Sequence, residues 1–203
     1  SAASDVYKRQ SIHSVNKLDV MIDGVFEKER LLDIIMNNIF YIIKDKEHPI
    51  KILSQYHQYF GIKKAFKSIL KNKKPEGTGR AGIVWHTQGS GKSFSMLMLA
   101  YRLIKEKSLN NPTIVILTDR NDLDDQLYTT FSCASEYLRT TPVKVESRKD
   151  LIDTLSKIKE SGIIFTTIQK IDKDNIIPNK RENIIVISDE AHRSHYGLEE
   201  TVK

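Results

Sequence analysis

The sequence predicts an α/β fold in which one parallel sheet carries helices on both faces. Short, uniformly apolar segments alternate with segments whose apolar residues recur at helical spacing. A glycine-rich turn at 89–93 joins one apolar segment to a helical one, and the acidic pair Asp189 and Glu190 follows another apolar segment. Strands buried on both faces of a parallel sheet are continuous apolar runs. Because such sheets bind ligands at the carboxyl ends of their strands, we expect the turn and the acidic pair at one edge.

The composition describes an ordinary globular protein and excludes several other classes. The 203 residues suffice for one domain and a small appendage, and 39% of them are hydrophobic. No apolar run approaches the roughly 18–20 residues of a membrane span, and no secretory signal is visible. Cys133 is the only cysteine, so a reducing, cytoplasmic location is expected. The net charge of +6 permits nucleic-acid binding but does not show it.

Three segments are predicted along the chain. Residues 1–20 lack periodicity and are interpreted as disordered or non-native. Residues 21–53 are interpreted as a helical linker, with one helix over 25–43 whose early turns hold Asp33, where an acid suits the helix dipole. Residues 54–203 are interpreted as the α/β lobe, which is expected to be incomplete at its carboxyl end.

The lobe is predicted to begin with a helix over 54–70 and a loop over 72–80, which contains Pro75, Gly77 and Gly79. A strand–helix alternation follows. The predicted strands are 83–85, 113–117, 143–145, 163–165 and 184–187. The predicted helices are 92–105, 121–131 and 149–158.

The turn Gly89-Ser90-Gly91-Lys92-Ser93, preceded by Thr87 and Gln88 and followed by Phe94, has the layout of a phosphate-binding loop. Its glycines let backbone N–H groups converge on phosphate oxygens, and the next helix presents its positive end to the same anion. Lys92 is expected to contact the β- and γ-phosphates, and the Ser93 hydroxyl to bind Mg²⁺. His86 stands where the usual pattern has Gly or Ala.

The acidic pair lies 97 residues after Lys92, at the tip of an apolar strand. Asp189 is expected to hold Mg²⁺, and Glu190 to orient the water that attacks the γ-phosphate. Nucleotide-hydrolysing proteins have a phosphate-binding loop followed later in the chain by an acidic pair at a strand end. Both features occur here in that order, which is unlikely to be a coincidence.

Asp189-Glu190-Ala191-His192 resembles the motif II box of superfamily 2 helicases and translocases. Gln58, upstream of the loop, looks like the glutamine that contacts the adenine edge in this superfamily. The strings 85–93, 117–127 and 189–197 narrow the match, because they are similar to the restriction (R) subunit of type I restriction–modification enzymes. His86 belongs to that family's own pattern, so it no longer counts as a defect.

The resemblance implies the first RecA-like lobe of an ATP- and Mg²⁺-dependent motor that translocates double-stranded DNA. The whole subunit is an ATP-dependent type I site-specific deoxyribonuclease that works with methyltransferase and specificity subunits. Segments after two strands resemble those that contact the nucleic-acid backbone, and hydroxyls, amides and cations suit phosphate contacts. These candidates are Thr118, Arg120, Thr166, Thr167, Gln169 and Lys170. A nuclease centre and the second lobe's arginines are not recognised in the sequence, so this chain alone is expected to hydrolyse little ATP.

Several alternatives stay open. The chain could be the lobe of another superfamily 2 helicase or of a type III restriction enzyme, a P-loop kinase acting on a small molecule, or a non-catalytic nucleotide- or DNA-binding module. The basic residues between Lys63 and Arg80 also have two interpretations, a solvated helix face or a phosphate-contacting surface.

Overall fold

The structure is a computed structural model that describes residues 22, 24–42, 48–87, 89–119, 121–158, 161–171 and 181–189. For residues 121–124 only the backbone is described. Its helices are α1 (Lys28–Asn37), α2 (Tyr56–Asn72), α3 (Lys92–Lys105), α4 (Asn121–Ser132), α5 (Ser135–Leu138) and α6 (Arg148–Lys157). Its strands are β1 (Ile39–Ile42), β2 (Ile50–Leu53), β3 (Thr113–Thr118), β4 (Val143–Lys144), β5 (Gly162–Thr167) and β6 (Ile184–Ser188). The segment 1–20 lies outside the described residues.

The central sheet confirms the predicted parallel architecture. Its strand order is β4-β5-β3-β6, and every neighbouring pair is parallel. Leu117 of β3 lies opposite Thr166 of β5 and Ser188 of β6. The three long strands therefore end at one edge, where the polar side chains predicted for the site follow them.

Alternate residues of the sheet feed two apolar cores, one on each face. Ile114 and Ile116 of β3 and Phe165 of β5 join α3 and α4 in the larger core. Val115 and Ile164 face the other way and pack with α6. All five residues are 0–5% exposed. This two-sided burial explains why β3 and β5 are apolar throughout.

The helix predicted over 25–43 is wrong at its carboxyl end. The helix α1 ends at Asn37, and the next residues form β1, which pairs antiparallel with β2. Phe40 and Ile42 are 0% and 1% exposed. A short apolar run cannot be assigned by periodicity alone, and here burial of alternate residues decides for a strand. The predicted helical linker therefore contains a two-stranded sheet.

That small sheet belongs to the larger core. The Phe40 ring centroid lies 5.1 Å from that of Tyr101 in α3 and 5.0 Å from that of Tyr137 in α5. Edge-on and tilted ring pairs of this kind add to the stabilisation from burial. The residues before 54 are thus packed on the helix that follows the glycine-rich turn.

The strand predicted over 83–85 is also wrong. Residues 81–87 carry no strand pairing to the rest of the described chain, and Ile83 and Trp85 are 79% and 86% exposed. On the described residues, β6 has a partner at one edge only, which is β3. An apolar run becomes a strand only where a neighbouring strand takes up its backbone hydrogen bonds, and no described strand does so for 81–87.

No described helix is both long and apolar enough to span a membrane.

Candidate functional site

The glycine-rich turn leads directly into α3, whose first residue is Lys92. Gly89 and Gly91 have φ angles of +76° and +77°, in the left-handed region that residues with a Cβ rarely adopt. Gly91 is the N-cap of α3 and brings no side chain to cap the first turn, which also contains no acidic residue. The first N–H groups and the positive end of the helix dipole therefore face the turn, an arrangement suited to an anion.

Gln58 of α2 holds this turn from the side. Its Nε2 donates to the carbonyl oxygens of Ser90, at 2.9 Å, and Gly91, at 3.2 Å. Its Oε1 accepts from the backbone N–H of Gln55 at 2.8 Å. Gln58 is 5% exposed, so the contact that the structure shows is with the loop backbone. Contact with an adenine edge stays a prediction.

Gly91 is constrained twice. Besides its positive φ, a Cβ at this position would lie 2.6 Å from Gln58 Nε2. Only glycine admits the Gln58 amide this close to the turn.

The structure brings together two predicted site residues from opposite ends of the lobe. Lys92 Nζ lies 3.7 Å from Asp189 Oδ1, and both side chains remain partly exposed, at 34% and 20%. Asp189 is positioned by β6, and its N–H donates to Leu117 O at 2.8 Å, which extends the pairing with β3 by one residue. The lysine predicted to bind phosphate and the carboxylate predicted to bind metal thus meet at the carboxyl edge of the sheet.

The residues present fit ATP and Mg²⁺. Ser93, half-buried in the first turn of α3, and Asp189 provide hydroxyl and carboxylate oxygens. Mg²⁺ prefers such oxygens and takes its remaining ligands from water and substrate phosphates. The Ser90 hydroxyl is buried and finds no hydrogen-bond partner among the described residues. An orphaned hydroxyl in the turn is what a phosphate oxygen would satisfy.

His86 connects the unpaired run to α2. Its imidazole lies against Gly61, and its ring centroid is 6.0 Å from that of His57. Burial lowers the pKa of His86, and the nearby His57 and Lys92 lower it further. His86 therefore packs against α2 just before the turn.

The remaining predicted nucleotide contacts divide into three groups. Thr87 is exposed, and its carbonyl accepts from Ser90 N–H at 3.2 Å. Phe94 is half-buried and packs against the larger core. Gln88 and Glu190, together with His192 of the motif II box, lie outside the described residues.

Three residues predicted to contact DNA are buried. Thr118, Thr166 and Thr167 are 1%, 0% and 3% exposed. The Thr118 hydroxyl is 3.5 Å from Thr166 O, and the Thr166 hydroxyl has no partner in the described part of the chain. These three side chains are buried inside the carboxyl edge of the sheet, so they present no exposed surface to a DNA backbone.

Gln169 and Lys170 lie at the surface of the same edge. Gln169 is exposed and donates to Asp119 O at 3.1 Å. Lys170 is half-buried, and its Nζ donates to Val145 O at 2.7 Å, just beyond β4. Both side chains therefore brace neighbouring strand ends. Arg120 lies outside the described residues.

Sequence reasoning missed a buried polar network behind the site. Arg102 of α3 is 9% exposed and ion-pairs with Asp33 of α1, with NH1 to Oδ1 at 2.9 Å. The Tyr59 hydroxyl donates to Asp33 Oδ2 at 2.8 Å, and Arg102 NH2 donates to Asn38 Oδ1 at 2.5 Å. Asp33, expected to suit a helix dipole, is instead the partner of a buried cation.

The network joins three elements, because Asp33 lies on α1, Tyr59 on α2 and Arg102 on α3. Burial raises the pKa of Tyr59, and the hydrogen bond to Asp33 raises it further, so the hydroxyl stays a donor. The sequence offered one signal that could have found the pair, an arginine on the apolar face of α3, where a buried cation requires a partner.

The comparisons with known proteins fit this geometry. The sequence profile described as SWI2/SNF2 ATPase matches residues 57–202. The chain belongs to the SWI2/SNF2 ATPase family. The match begins at the Gln-bearing helix and includes the turn, the sheet and Asp189, so the parallel lobe described above is the ATPase lobe of this family.

Relatives of this ATPase lobe confirm the resemblance to type I restriction subunits. It is 42% identical over 196 residues to the type I restriction enzyme HindI endonuclease subunit of Haemophilus influenzae, covering 94% of this chain and 19% of that protein. It is 44% identical over 189 residues to a Methanocaldococcus jannaschii protein with the provisional name of type I restriction enzyme MjaIXP endonuclease subunit, covering 89% of this chain and 17% of that one. The chain thus spans less than a fifth of the length of these relatives.

Proposed function

We propose that this chain is the ATP-binding lobe of a type I restriction endonuclease subunit, in which ATP hydrolysis drives translocation along double-stranded DNA. One observation carries the proposal: Lys92 Nζ and Asp189 Oδ1 lie 3.7 Å apart beneath a turn with two left-handed glycines. A bound phosphate chain and its metal would replace this contact, with Lys92 turning to the phosphates and Asp189 to the metal.

Each described residue has a distinct role in the proposed mechanism. The N–H groups at the start of α3 and the Lys92 ammonium would bind the phosphates, and Ser93 and Asp189 would hold Mg²⁺, whose charge would stabilise the negative phosphate oxygens during hydrolysis. Gln58 keeps the turn open by holding Ser90 O and Gly91 O. Glu190 is proposed to orient the attacking water.

The wider assembly is proposed by analogy with the relatives, whose names call them endonuclease subunits. The full protein would act as an ATP-dependent type I site-specific deoxyribonuclease together with methyltransferase and specificity subunits. It would bind double-stranded DNA and work in the cytoplasm. Within this chain, Gln169 is the most exposed of the described residues proposed to contact the DNA backbone.

Nucleotide binding tests the proposal. Binding of a fluorescent ATP analogue is titrated with and without Mg²⁺ for the parent chain, for Lys92→Ala and for Asp189→Asn. A hydrogen bond to a charged group contributes about 1.5–3 kcal/mol, so Lys92→Ala should weaken binding by about 10- to 150-fold. Asp189→Asn should remove most of the Mg²⁺ dependence. The matched control is Lys144→Ala, which removes a lysine paired with Asp125 away from the turn.

Equal affinity of the parent and Lys92→Ala would overturn the nucleotide site. Hydrolysis is a separate measurement. An arginine supplied from outside the lobe typically contributes about 10³–10⁵ in rate, so this chain alone should turn over ATP slowly or not at all. DNA-stimulated turnover at the rate of a complete motor would contradict that expectation.

A further inference from the structure

The positive charge of this chain is concentrated in one stretch. Between His48 and Lys105 there are eleven lysines and arginines and a single acidic residue, Glu76. The whole chain has a net charge of only +6, so the rest of it is net acidic. The helix α2 contributes four of these lysines and no acidic residue. A surface helix more often mixes both signs, because opposite charges one turn apart stabilise it.

The four lysines share one face of α2. Lys63, Lys64, Lys67 and Lys71 fall within an arc of about 100°, since each residue advances the helix by about 100°. They span nine residues, 63–71, or about 12 Å of helix axis. Ile62, which is 3% exposed, lies on the side of α2 turned away from these lysines, and Tyr59, which is 1% exposed, lies beside Lys63 at the buried margin of the face. We call these four residues the lysine face.

Three of the four lysines of the lysine face make no polar contact with the described part of the protein. Lys63 Nζ donates to the Tyr59 hydroxyl at 3.2 Å and lies over that ring. Lys64, Lys67 and Lys71 are exposed, and the described part of the chain gives them no hydrogen bond or ion pair. Three like charges on adjacent turns repel one another, which costs stability unless an anion neutralises them.

Acidic groups lie at the margins of the face. Glu27 is close enough to Lys63 for that lysine to lower its pKa, although hydrogen bonds from the N–H groups of Glu29 and Arg30 lower it more. Glu106 is near Lys73 beyond the other end, and Glu76 follows in the loop. Lys74 and Arg80 are exposed and continue the positive surface past α2.

We propose that the lysine face is a second DNA-binding surface, which contacts the phosphate backbone of a duplex away from the carboxyl edge of the sheet. A duplex carries one phosphate charge per about 1.7 Å of its axis, so 12 Å of helix would meet about seven. Lysine is a flexible point charge that positions DNA without selecting sequence. None of the three exposed lysines alternates with an exposed aromatic side chain, which disfavours stacking on single-stranded bases.

The lysine face lies on the same helix that supports the glycine-rich turn. Gln58, in the first turn of α2, holds the glycine-rich turn, and Lys71 lies 13 residues further along, about 20 Å away on the helix axis. DNA on this face would therefore contact the same rigid helix that supports the nucleotide site. The inference rests on the proposed DNA substrate but not on the nucleotide-binding residues.

The test compares two variants of equal charge. In one, Lys64, Lys67 and Lys71 are all changed to Gln. In the control, three exposed lysines on α1 and α6, Lys28, Lys149 and Lys157, are changed to Gln. Binding of a fluorescein-labelled 30-base-pair duplex is measured by anisotropy, without nucleotide, at several NaCl concentrations. Each lost phosphate contact lowers the salt slope by about 0.9, so the first variant should lose about 2–3 units of slope and at least tenfold in affinity at low salt.

The control variant should keep the parent's slope within about one unit. Changing the same three lysines of the face to Arg should preserve DNA binding, because the charge is retained. Unchanged DNA binding by the Gln variant would overturn the proposal, and so would an equal loss in the control, which would reflect net charge alone. Binding of the ATP analogue should be the same in all of these variants. If nucleotide binding fails in the parent while the lysine effect persists, the proposed function falls and the DNA surface stands.

Discussion

Two apolar segments with similar sequence patterns differ in structure: one is a buried strand, and the other is largely exposed and unpaired in the described structure. Residues 113–117 belong to β3, which has a parallel strand on each side and in which Ile114 and Ile116 are fully buried. Residues 81–87 remain unpaired within the described structure, and Trp85 is 86% exposed. Both segments precede a loop and a helix, and strands were predicted in both, at 113–117 and at 83–85.

The difference shows what stabilises this lobe. Apolar composition makes burial favourable, but a strand also needs a partner for its N–H and C=O groups. The strand β3 has a partner on each side, whereas 81–87 contacts α2 near its two ends, where Ser68 Oγ donates to Ala81 O and His86 lies against Gly61. The glycine-rich turn is therefore packed against α2 and α3 on one side, and the described residues do not cover its other side.

The largest expected effect is in the packed region. Phe40→Ala removes a ring that is 0% exposed and contacts Tyr101 and Tyr137. It should lower the free energy of unfolding by about 3–5 kcal/mol, as measured by urea denaturation. A loss below 1 kcal/mol would show that β1 is not part of the core.

A smaller effect is expected at the boundary between the two regions. Gly91→Ala forces a Cβ into the left-handed region and against Gln58 Nε2. Such strain costs on the order of 1–3 kcal/mol. Affinity for the ATP analogue should fall with the stability, whereas Gly82→Ala, also at positive φ but with open space around it, should leave nucleotide affinity unchanged. The reverse order would show that Gln58 does not shape the turn.

The ion pair behind the site predicts a response to acid. Burial raises the pKa of Asp33, but hydrogen bonds from Arg102, Tyr59 and Asn37 outweigh it and hold the pKa below its ordinary value of 3.8. The unfolded chain therefore takes up this proton first. The contribution of Asp33 is present above about pH 4 and is lost as the pH falls through the folded-state pKa.

Thermal melts between pH 7 and pH 2.5 measure this dependence. Asp33→Asn should be less stable than the parent at pH 7, and the difference should shrink as the solution becomes acidic. Glu106→Gln serves as the comparison, because an exposed backbone N–H bond, not a buried cation, lowers the pKa of Glu106. A constant difference between Asp33→Asn and the parent would show that the carboxylate charge is not what stabilises the network.

The smallest expected effect is at Trp85. Because its side chain is 86% exposed, Trp85→Ala should change the free energy of unfolding by no more than about 0.5 kcal/mol. As Trp85 is the only tryptophan, its fluorescence should also have a red-shifted maximum and be quenched efficiently by iodide. A blue-shifted, protected emission would mean that 81–87 is packed, and the contrast between the two regions would disappear.

Much of the candidate site could be predicted from local sequence. Glycines specify the turn at 89–93, helical periodicity specifies the helix Lys92–Lys105, and continuous apolar residues specify the strand that leads into Asp189. Only half of the Lys92–Asp189 contact followed from this pattern: Asp189 comes directly after β6, whereas residues 81–87 form no strand, and Lys92 is placed by α3, which packs against the sheet. Partner choice was less accessible: the buried hydroxyls of Thr118 and Thr166 and the pairing of Asp33 with Arg102 depend on contacts across many residues.

The sequence by itself determined the fold class, the glycine-rich turn and the family, because each depends on residue types at short, fixed spacing. The tertiary structure decided which apolar runs became strands, so that Ile39–Ile42 did and 83–85 did not. It also decided that Gln58 holds the nucleotide turn and that three lysines of α2 lie exposed on one face. The physical reason is the same in each case: pairing and burial are properties of neighbours that a local pattern does not contain.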